Sequence, residues 1–220
     1  MPRSHCPHCS HTLAWYDLVP VASWIQLRGS CRYCSHAISA LYPFIEALTA
    51  LLCVLVYLSP ITPLFYGAYF CLFSALIVSI RTDLEYMLIS RFFSLCMIPV
   101  GLLLTALQLL PITLTQSTLG ALAGYGILWL AATLFRAATG KDGLGEGDFE
   151  LLAMIGSFTG PIGVWFSLLC GSLVGSVLIA LYLWITQKGP NTRVPFGPFL
   201  ALGAFIYILY SQLFFTLCMY

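Results

Sequence analysis

"FELLAMIGSFTGPIGVWFSLLCGSLVGSVLIALYLWI", residues 149–185, holds one charged side chain, Glu150, in 37 positions. A helix of a soluble protein keeps polar residues on its outer face, and this run has no such face. About 20 apolar residues are enough for a helix to cross a bilayer. Gly160–Pro161 interrupts the run, because proline removes a helix donor and glycine lets the chain turn sharply. The run therefore reads as a short crossing or near-crossing segment, 149–159, followed by a full one, 163–185.

Working outward, five more apolar runs cover 42–58, 64–80, 88–110, 118–135 and 199–219. Of the 220 residues, 60% are hydrophobic and 8% charged, and the mean hydropathy is +0.94. That composition excludes an ordinary soluble domain. Irregular backbone in hydrocarbon would leave amides unpaired, so the runs are expected to be helices. The fold class is all-α: a polytopic membrane protein of about seven transmembrane helices. With a net charge near +1, the placement of the charges matters more than their sum, and no nucleic-acid partner is expected.

The placement is ordered. The connections "SPITP" (59–63), "PITLTQS" (111–117) and "TGPI" (159–162) are uncharged, whereas "RTDLEYMLISR", "RAATGKDGLGEGDFE" and "QKGPNTR" are charged, and the two kinds alternate. Arg3, Arg28, Arg32, Arg81, Arg91, Arg136, Lys141, Lys188 and Arg193 then fall on one face, which the positive-inside rule assigns to the cytoplasm. Residues 1–41 are polar and cysteine-bearing and lack the apolar core of a cleavable signal peptide. The expected organisation is a cytoplasmic head, 1–41, and a helical membrane body, 42–220, in a bacterial inner membrane.

The head carries two C-x-x-C pairs, Cys6/Cys9 and Cys31/Cys34, with 21 residues between them. Two thiolates three residues apart in a tight turn both reach one Zn²⁺ at ~2.3 Å, and two such turns close a structural site of four cysteines. A disulfide or a redox couple is the alternative, but a cytoplasmic face keeps thiols reduced and a redox motif needs no second pair. A head this small also gains its stability from metal binding. His5, His8, His11 and His36 are secondary candidates. Cys53, Cys71, Cys96, Cys170 and Cys218 lie in apolar runs and are expected to pack.

Only eight acids exist, and ionisable groups beside lipid are functional candidates by default. Asp148 follows Gly145 and Gly147 in "GLGEGDFELL", where missing side chains let another backbone approach and the start of a helix favours an anion. Asp83 ends another apolar run at the same boundary. Two carboxyls sharing a site do not ionise together easily: one, protonated, polarises a scissile carbonyl while the other takes a proton from the attacking water. That is aspartic protease chemistry, and no H-E-x-x-H or G-x-S-x-G motif offers another route. Glu85, Asp142 and Glu146 read as solvated charges. Together Glu85, Glu146 and Glu150 are expected to attract a leader rich in Lys and Arg.

The sequence resembles the type IV prepilin leader peptidases, nearly end to end. The head is similar to the pattern C-x-x-C, L-R-G-x-C-x-x-C, I-S-x-x-Y-P-x-x-E through Cys6, Cys9, Leu27-Arg28-Gly29, Cys31, Cys34, Ile38-Ser39, Tyr42-Pro43 and Glu46. "TDLEYMLIS" carries Asp83 where the family has its first catalytic acid, "GLGEGDFELL" matches G-x-G-D with Asp148 as the second, and "VPFGPFLALGA" (194–204) resembles the C-terminal signature. The resemblance implies cleavage of prepilin or pseudopilin leaders at the cytoplasmic edge of the substrate's apolar helix, and N-methylation of the product with S-adenosylmethionine as donor. The chain departs from the pattern in four ways. Cys6 follows Met1 by five residues where members usually have a membrane helix first. Ser90-Arg91 stands in place of Pro-Asp, Arg81-Thr82 in place of more apolar residues, and Glu150 where a lysine is common. Those departures favour a second class, a degenerate relative that binds prepilins or secretion components as a scaffold, against which the retained Asp83 and Asp148 argue. A third class, a transporter with acids deep in its spans, has only Glu46 to support it.

Overall fold

The computed structural model describes residues 4–140, 143, 145–187 and 194–218, and among them the structure is helical, with two isolated bridges in place of strands. Arg3, Lys141, Asp142, Lys188, Arg193 and Met219 lie outside the described residues. The chain divides into two compact units, Met1–Leu55 and Val56–Tyr220.

The first unit contains a 3-10 turn, Trp15–Leu18, the short helix α1 (Ala22–Gln26) and α2 (Leu41–Leu58) as far as Leu55. Its cysteine turns are two copies of one arrangement, 25 positions apart. In the first, Cys6 N–H donates to the His11 carbonyl and Ser10 N–H to the Cys6 carbonyl, both at 2.9 Å; in the second, Cys31 donates to His36 and Ser35 to Cys31, again at 2.9 Å. A bridge closes each turn, His5 with Thr12 and Ser30 with Ala37. The Trp24 indole donates to the Ile38 carbonyl at 3.0 Å, and Arg32 pairs with Asp17 at 2.8 Å. Glu46, on α2, accepts the Val21 N–H at 2.8 Å, where Val21 has a positive φ of 60°. The carboxylate thus fastens a strained turn of the head.

The second unit is built from α3 (Tyr66–Tyr86), α4 (Arg91–Ala106), α5 (Leu114–Thr139), α6 (Glu146–Thr186) and α7 (Gly197–Cys218). α5 starts with a capping box: Thr113 accepts from the Gln116 amide while the Gln116 side chain accepts from Thr113 N–H at 2.9 Å. It stops at Gly140 in the left-handed conformation. α6 packs against α5, α7 and α4, and α3 packs against α7. At Gly160 (φ 72°, ψ −176°), followed by Pro161, α6 breaks into two helices. The break falls where the sequence puts it, and every residue from Asp148 to Gly160 is buried. The first half of α6 is therefore the centre of the unit.

Glycines let α5 sit directly on this half. On α5, Gly120 and Gly124 form a G-x-x-x-G pair whose missing side chains leave room for the carbonyls of Gly156 and Leu152. Ser117 Oγ donates to the Ser157 carbonyl at 2.5 Å in the same contact. In lipid there is little hydrophobic drive between helices, and close packing with hydrogen bonds holds them.

Among the described residues, four helices are long and apolar enough to cross a membrane: Leu41–Leu58, Pro63–Tyr86, Leu114–Thr139 and Glu146–Thr186. Arg91–Ala106 and Gly197–Ser211 are apolar but shorter. The apolar run 64–80 understates α3, which continues through Arg81, Thr82, Asp83, Leu84 and Glu85 to Tyr86 and is capped by Met87 in the left-handed conformation. Asp83 is thus fixed on a helix rather than carried on a loop.

Candidate active site and metal centre

Asp83 is in the last turn of α3 and Asp148 in the first turn of α6. Both are buried, at 6% and 8% exposure. Gly197, which lies against Asp83, and Gly147, the residue before Asp148, both pack on Ile89, so the end of α3 and the start of α6 meet in one corner of the helix packing. Gly197, the first residue of α7, donates its N–H to Asp83 Oδ2 at 3.0 Å, and the Asp148 N–H donates to the Gly145 carbonyl at 3.2 Å.

At positions 197 and 147 the absence of a side chain leaves space for close neighbours. A Cβ on Gly197 would lie 2.8 Å from Asp83 Oδ2 and 3.1 Å from Ile89 Cδ1, and a Cβ on Gly147 would lie 2.8 Å from Ile89 Cβ. Ile89, in the connection between α3 and α4, therefore packs against both the glycine that holds Asp83 and the glycine that precedes Asp148. Sequence reasoning places Gly197 inside a C-terminal signature without a role, and its partnership with Asp83 spans 114 positions. Ile89 is missed altogether.

Beside the acids lies an ion cluster. Arg91 Nε donates to Glu150 Oε1 at 2.7 Å and Arg91 Nη1 to Glu146 Oε2 at 2.9 Å. Glu150 is 1% exposed, and its Oε2 has no hydrogen-bond partner among the described residues. The expectation that Glu85, Glu146 and Glu150 form an open acidic surface needs correction. Glu150 is inside the protein, and Glu85 pairs with Arg81 at 3.4 Å on its own helix. Arg91 and Glu150, two departures from the family pattern, are the two ends of one ion pair.

In the head, the Sγ atoms of Cys6, Cys9, Cys31 and Cys34 all lie within 4.8 Å of one another, with Cys6 and Cys34 at 4.0 Å. Tetrahedral zinc with ~2.3 Å bonds sets its sulfurs about 3.8 Å apart, so the cluster fits the ion after small inward movements. Backbone hydrogen bonds from Cys9 and then His8 bring the Cys6 thiol down to about 6. Cys34 receives a backbone hydrogen bond from His36 that favours its anion, but burial and the neighbouring thiols of Cys31, Cys9 and Cys6 outweigh it and push the group up to about 11. Four crowded thiols resist ionising together, and a dication removes that resistance. His8 and His36 stack on one another at 4.2 Å, and His11 lies against Tyr33 at 3.6 Å. Beneath the knuckles a cavity of about 450 Å³ is lined in part by Trp24, Tyr42, Asp17 and Glu46, a size usual for small-molecule sites.

Membrane-capable helices that end in buried carboxyls, in a chain that also carries a four-cysteine cluster, suit a membrane-bound peptidase. Residues 70–184 match the type IV leader peptidase family, and residues 1–59 match the bacterial peptidase A24 N-terminal domain. The chain belongs to the type IV leader peptidase family. It is 37% identical over 212 residues to the prepilin leader peptidase/N-methyltransferase of Aeromonas hydrophila, covering 96% of this chain and 73% of that one. It is 36% identical over 218 residues to a type 4 prepilin-like proteins leader peptide-processing enzyme of Escherichia coli O78:H11 (97% and 78%). Against the Pseudomonas aeruginosa prepilin leader peptidase/N-methyltransferase the identity is 34% over 212 residues (96% and 73%). No solved structure matches the chain significantly.

Proposed function

We propose that this enzyme is a membrane-embedded aspartic endopeptidase that removes the leader from type IV prepilins or type II secretion pseudopilins, with Asp83 and Asp148 as its catalytic dyad. The observation that supports the reading is that two buried carboxyls, one at the end of α3 and one at the start of α6, lie beside glycines that pack on the same residue, Ile89, with the Gly197 amide on Asp83. Water attacks the scissile carbonyl; the ionised carboxyl accepts its proton, the protonated one donates a hydrogen bond to the carbonyl oxygen, and the leaving amine takes a proton as the tetrahedral intermediate collapses.

The proposed setting is a bacterial inner membrane crossed about seven times, with both acids at the cytoplasmic face. This rests on the alternation of charged and uncharged connections and on the positive-inside rule. Cys6, Cys9, Cys31 and Cys34 are proposed to hold one structural zinc, which would fix the two knuckles relative to each other. From the second half of the relatives' name we extend the reading to N-methylation of the new terminus with S-adenosylmethionine as donor. The head cavity, with Trp24 and Tyr42 in its wall, has the size and aromatic surface that a sulfonium cation fits.

The test is the mass of a co-expressed prepilin, which records both leader loss and an added methyl group. Asp83→Asn and Asp148→Asn should each abolish cleavage while the protein stays in the membrane. Near-normal turnover by either variant would refute the dyad.

A further inference from the structure

We propose that Arg91 is a positioning residue for the peptidase site, acting as an ionic clamp that holds the α3–α4 connection on the first turns of α6; this rests on the reading of Asp83 and Asp148 as the dyad. Arg91 is the first residue of α4 and reaches two carboxylates on α6, Glu150 at 2.7 Å and Glu146 at 2.9 Å. The two bonds differ in surroundings. The Glu146 side chain is 73% exposed, and a pair in water contributes little. That of Glu150 is 2% exposed, and a buried carboxylate that loses its cation is left without compensation.

The clamp bears on the acids by a short path. Asp148 lies between Glu146 and Glu150, so Arg91 grips α6 on both sides of it. Ile89, two residues before Arg91, fills the space beside Gly147, next to Asp148, and beside Gly197, whose amide holds Asp83. If the α3–α4 connection lifts, Ile89 leaves both glycines, and the glycine that holds Asp83 and the one that precedes Asp148 are no longer packed in place. Arg91 touches neither acid and has no chemical role in the cleavage.

The test exchanges the charges. Arg91→Asp and Glu150→Lys each destroy the pair, and together they rebuild it with reversed polarity. Each single variant should lower kcat by about 100-fold with KM changed by less than about threefold, the loss that ~1 Å of misplacement brings. The double variant should recover kcat to within about tenfold of the starting enzyme. Glu150→Gln, which keeps size and an acceptor oxygen, should fall between, and it serves where a single variant is recovered poorly from the membrane. A second reading needs no activity. In a chain carrying Asp148→Cys, labelling of position 148 by a water-soluble maleimide, read peptide by peptide, should be slow. It should rise about tenfold with Arg91→Asp as the turn opens, and fall again when Glu150→Lys is added.

Single variants with full kcat and unchanged labelling, or a double variant no better than the worse single one, overturn the clamp. The dyad reading fails separately, by turnover in Asp83→Asn or Asp148→Asn. In that event the labelling series still decides whether Arg91 holds the first turns of α6.

Discussion

Replacing Gly197 by alanine adds one methyl group at the point where α7 meets Asp83. That methyl would stand 2.8 Å from Asp83 Oδ2, where ordinary contact begins at 3.4 Å. Either the carboxylate or the start of α7 must therefore retreat by about 0.6 Å, and the 3.0 Å hydrogen bond from the Gly197 amide lengthens to about the limit of a real one. Misplacement by ~1 Å costs about 100-fold in rate, so 0.6 Å should cost on the order of tenfold in kcat. KM should change little, because the residue lies behind the acid. Gly197 does not have the positive φ that would strain alanine, and alanine favours a helix over glycine by about 0.5–1 kcal/mol. That gain offsets part of the crowding against Asp83, Ile89 and Leu151, so the thermal midpoint should change little, which separates misplacement from instability. The assay is cleavage of a purified prepilin by enzyme in lipid vesicles, with kcat and KM determined separately and the enzyme's thermal midpoint measured in parallel. A kcat equal to the parent's, at an equal or higher midpoint, would refute the claim that Gly197 sets the position of Asp83.

Two further expectations concern the framework. Purified protein should contain about one zinc per chain and lose it when both cysteines of either knuckle become serine; metal-free protein with four titratable head thiols would rule the site out. Gly124→Leu should drive a side chain into the Leu152 carbonyl and lower stability by about 1–3 kcal/mol, the usual range for overpacking, whereas Gly126→Leu, which meets nothing within 4 Å, should leave the thermal midpoint of the detergent-solubilised enzyme unchanged. Equal midpoints for the two variants would contradict the close approach of α5 and α6.

What the sequence made legible were features set by neighbours along the chain. The thiol knuckles follow from spacing, the break at Gly160–Pro161 from two residues with special backbones, and the apolar helices from composition. Asp148 announced itself through flanking glycines. What it hid were partnerships through space. Gly197 and Asp83 are 114 positions apart, and Arg91 and Glu150 are 59. Read locally, Glu150 is a surface acid beside other acids; its burial becomes visible only when α4 and α5 are packed on α6. The same holds for Glu46, which looks like a misplaced charge in an apolar helix until its carboxylate is seen to receive the Val21 amide.

The Arg91–Glu150 pair also explains how a chain can carry opposite charges where its family commonly has Asp and Lys. Coulomb attraction is indifferent to which partner is positive, but the helix termini are not. Arg91 is a cation at the N-terminus of α4, which the helix dipole disfavours by about 0.3–1 kcal/mol, while Glu146 in the first turn of α6 and Glu150 just beyond it are anions where the dipole favours them. Reversal moves the favourable charge from one helix start to the other, so the two dipole contributions change in opposite directions and largely cancel. The remaining difference is Glu146, which would face an aspartate at position 91 in place of a cation; at 73% exposure its repulsion is screened by water and salt. Losing the pair is another matter, since it strands a charge in the interior next to the site. Either polarity therefore suffices. Adding Glu146→Gln to the reversed pair should return the last part of the lost kcat, because it removes the like-charge contact between positions 91 and 146 that the reversal creates.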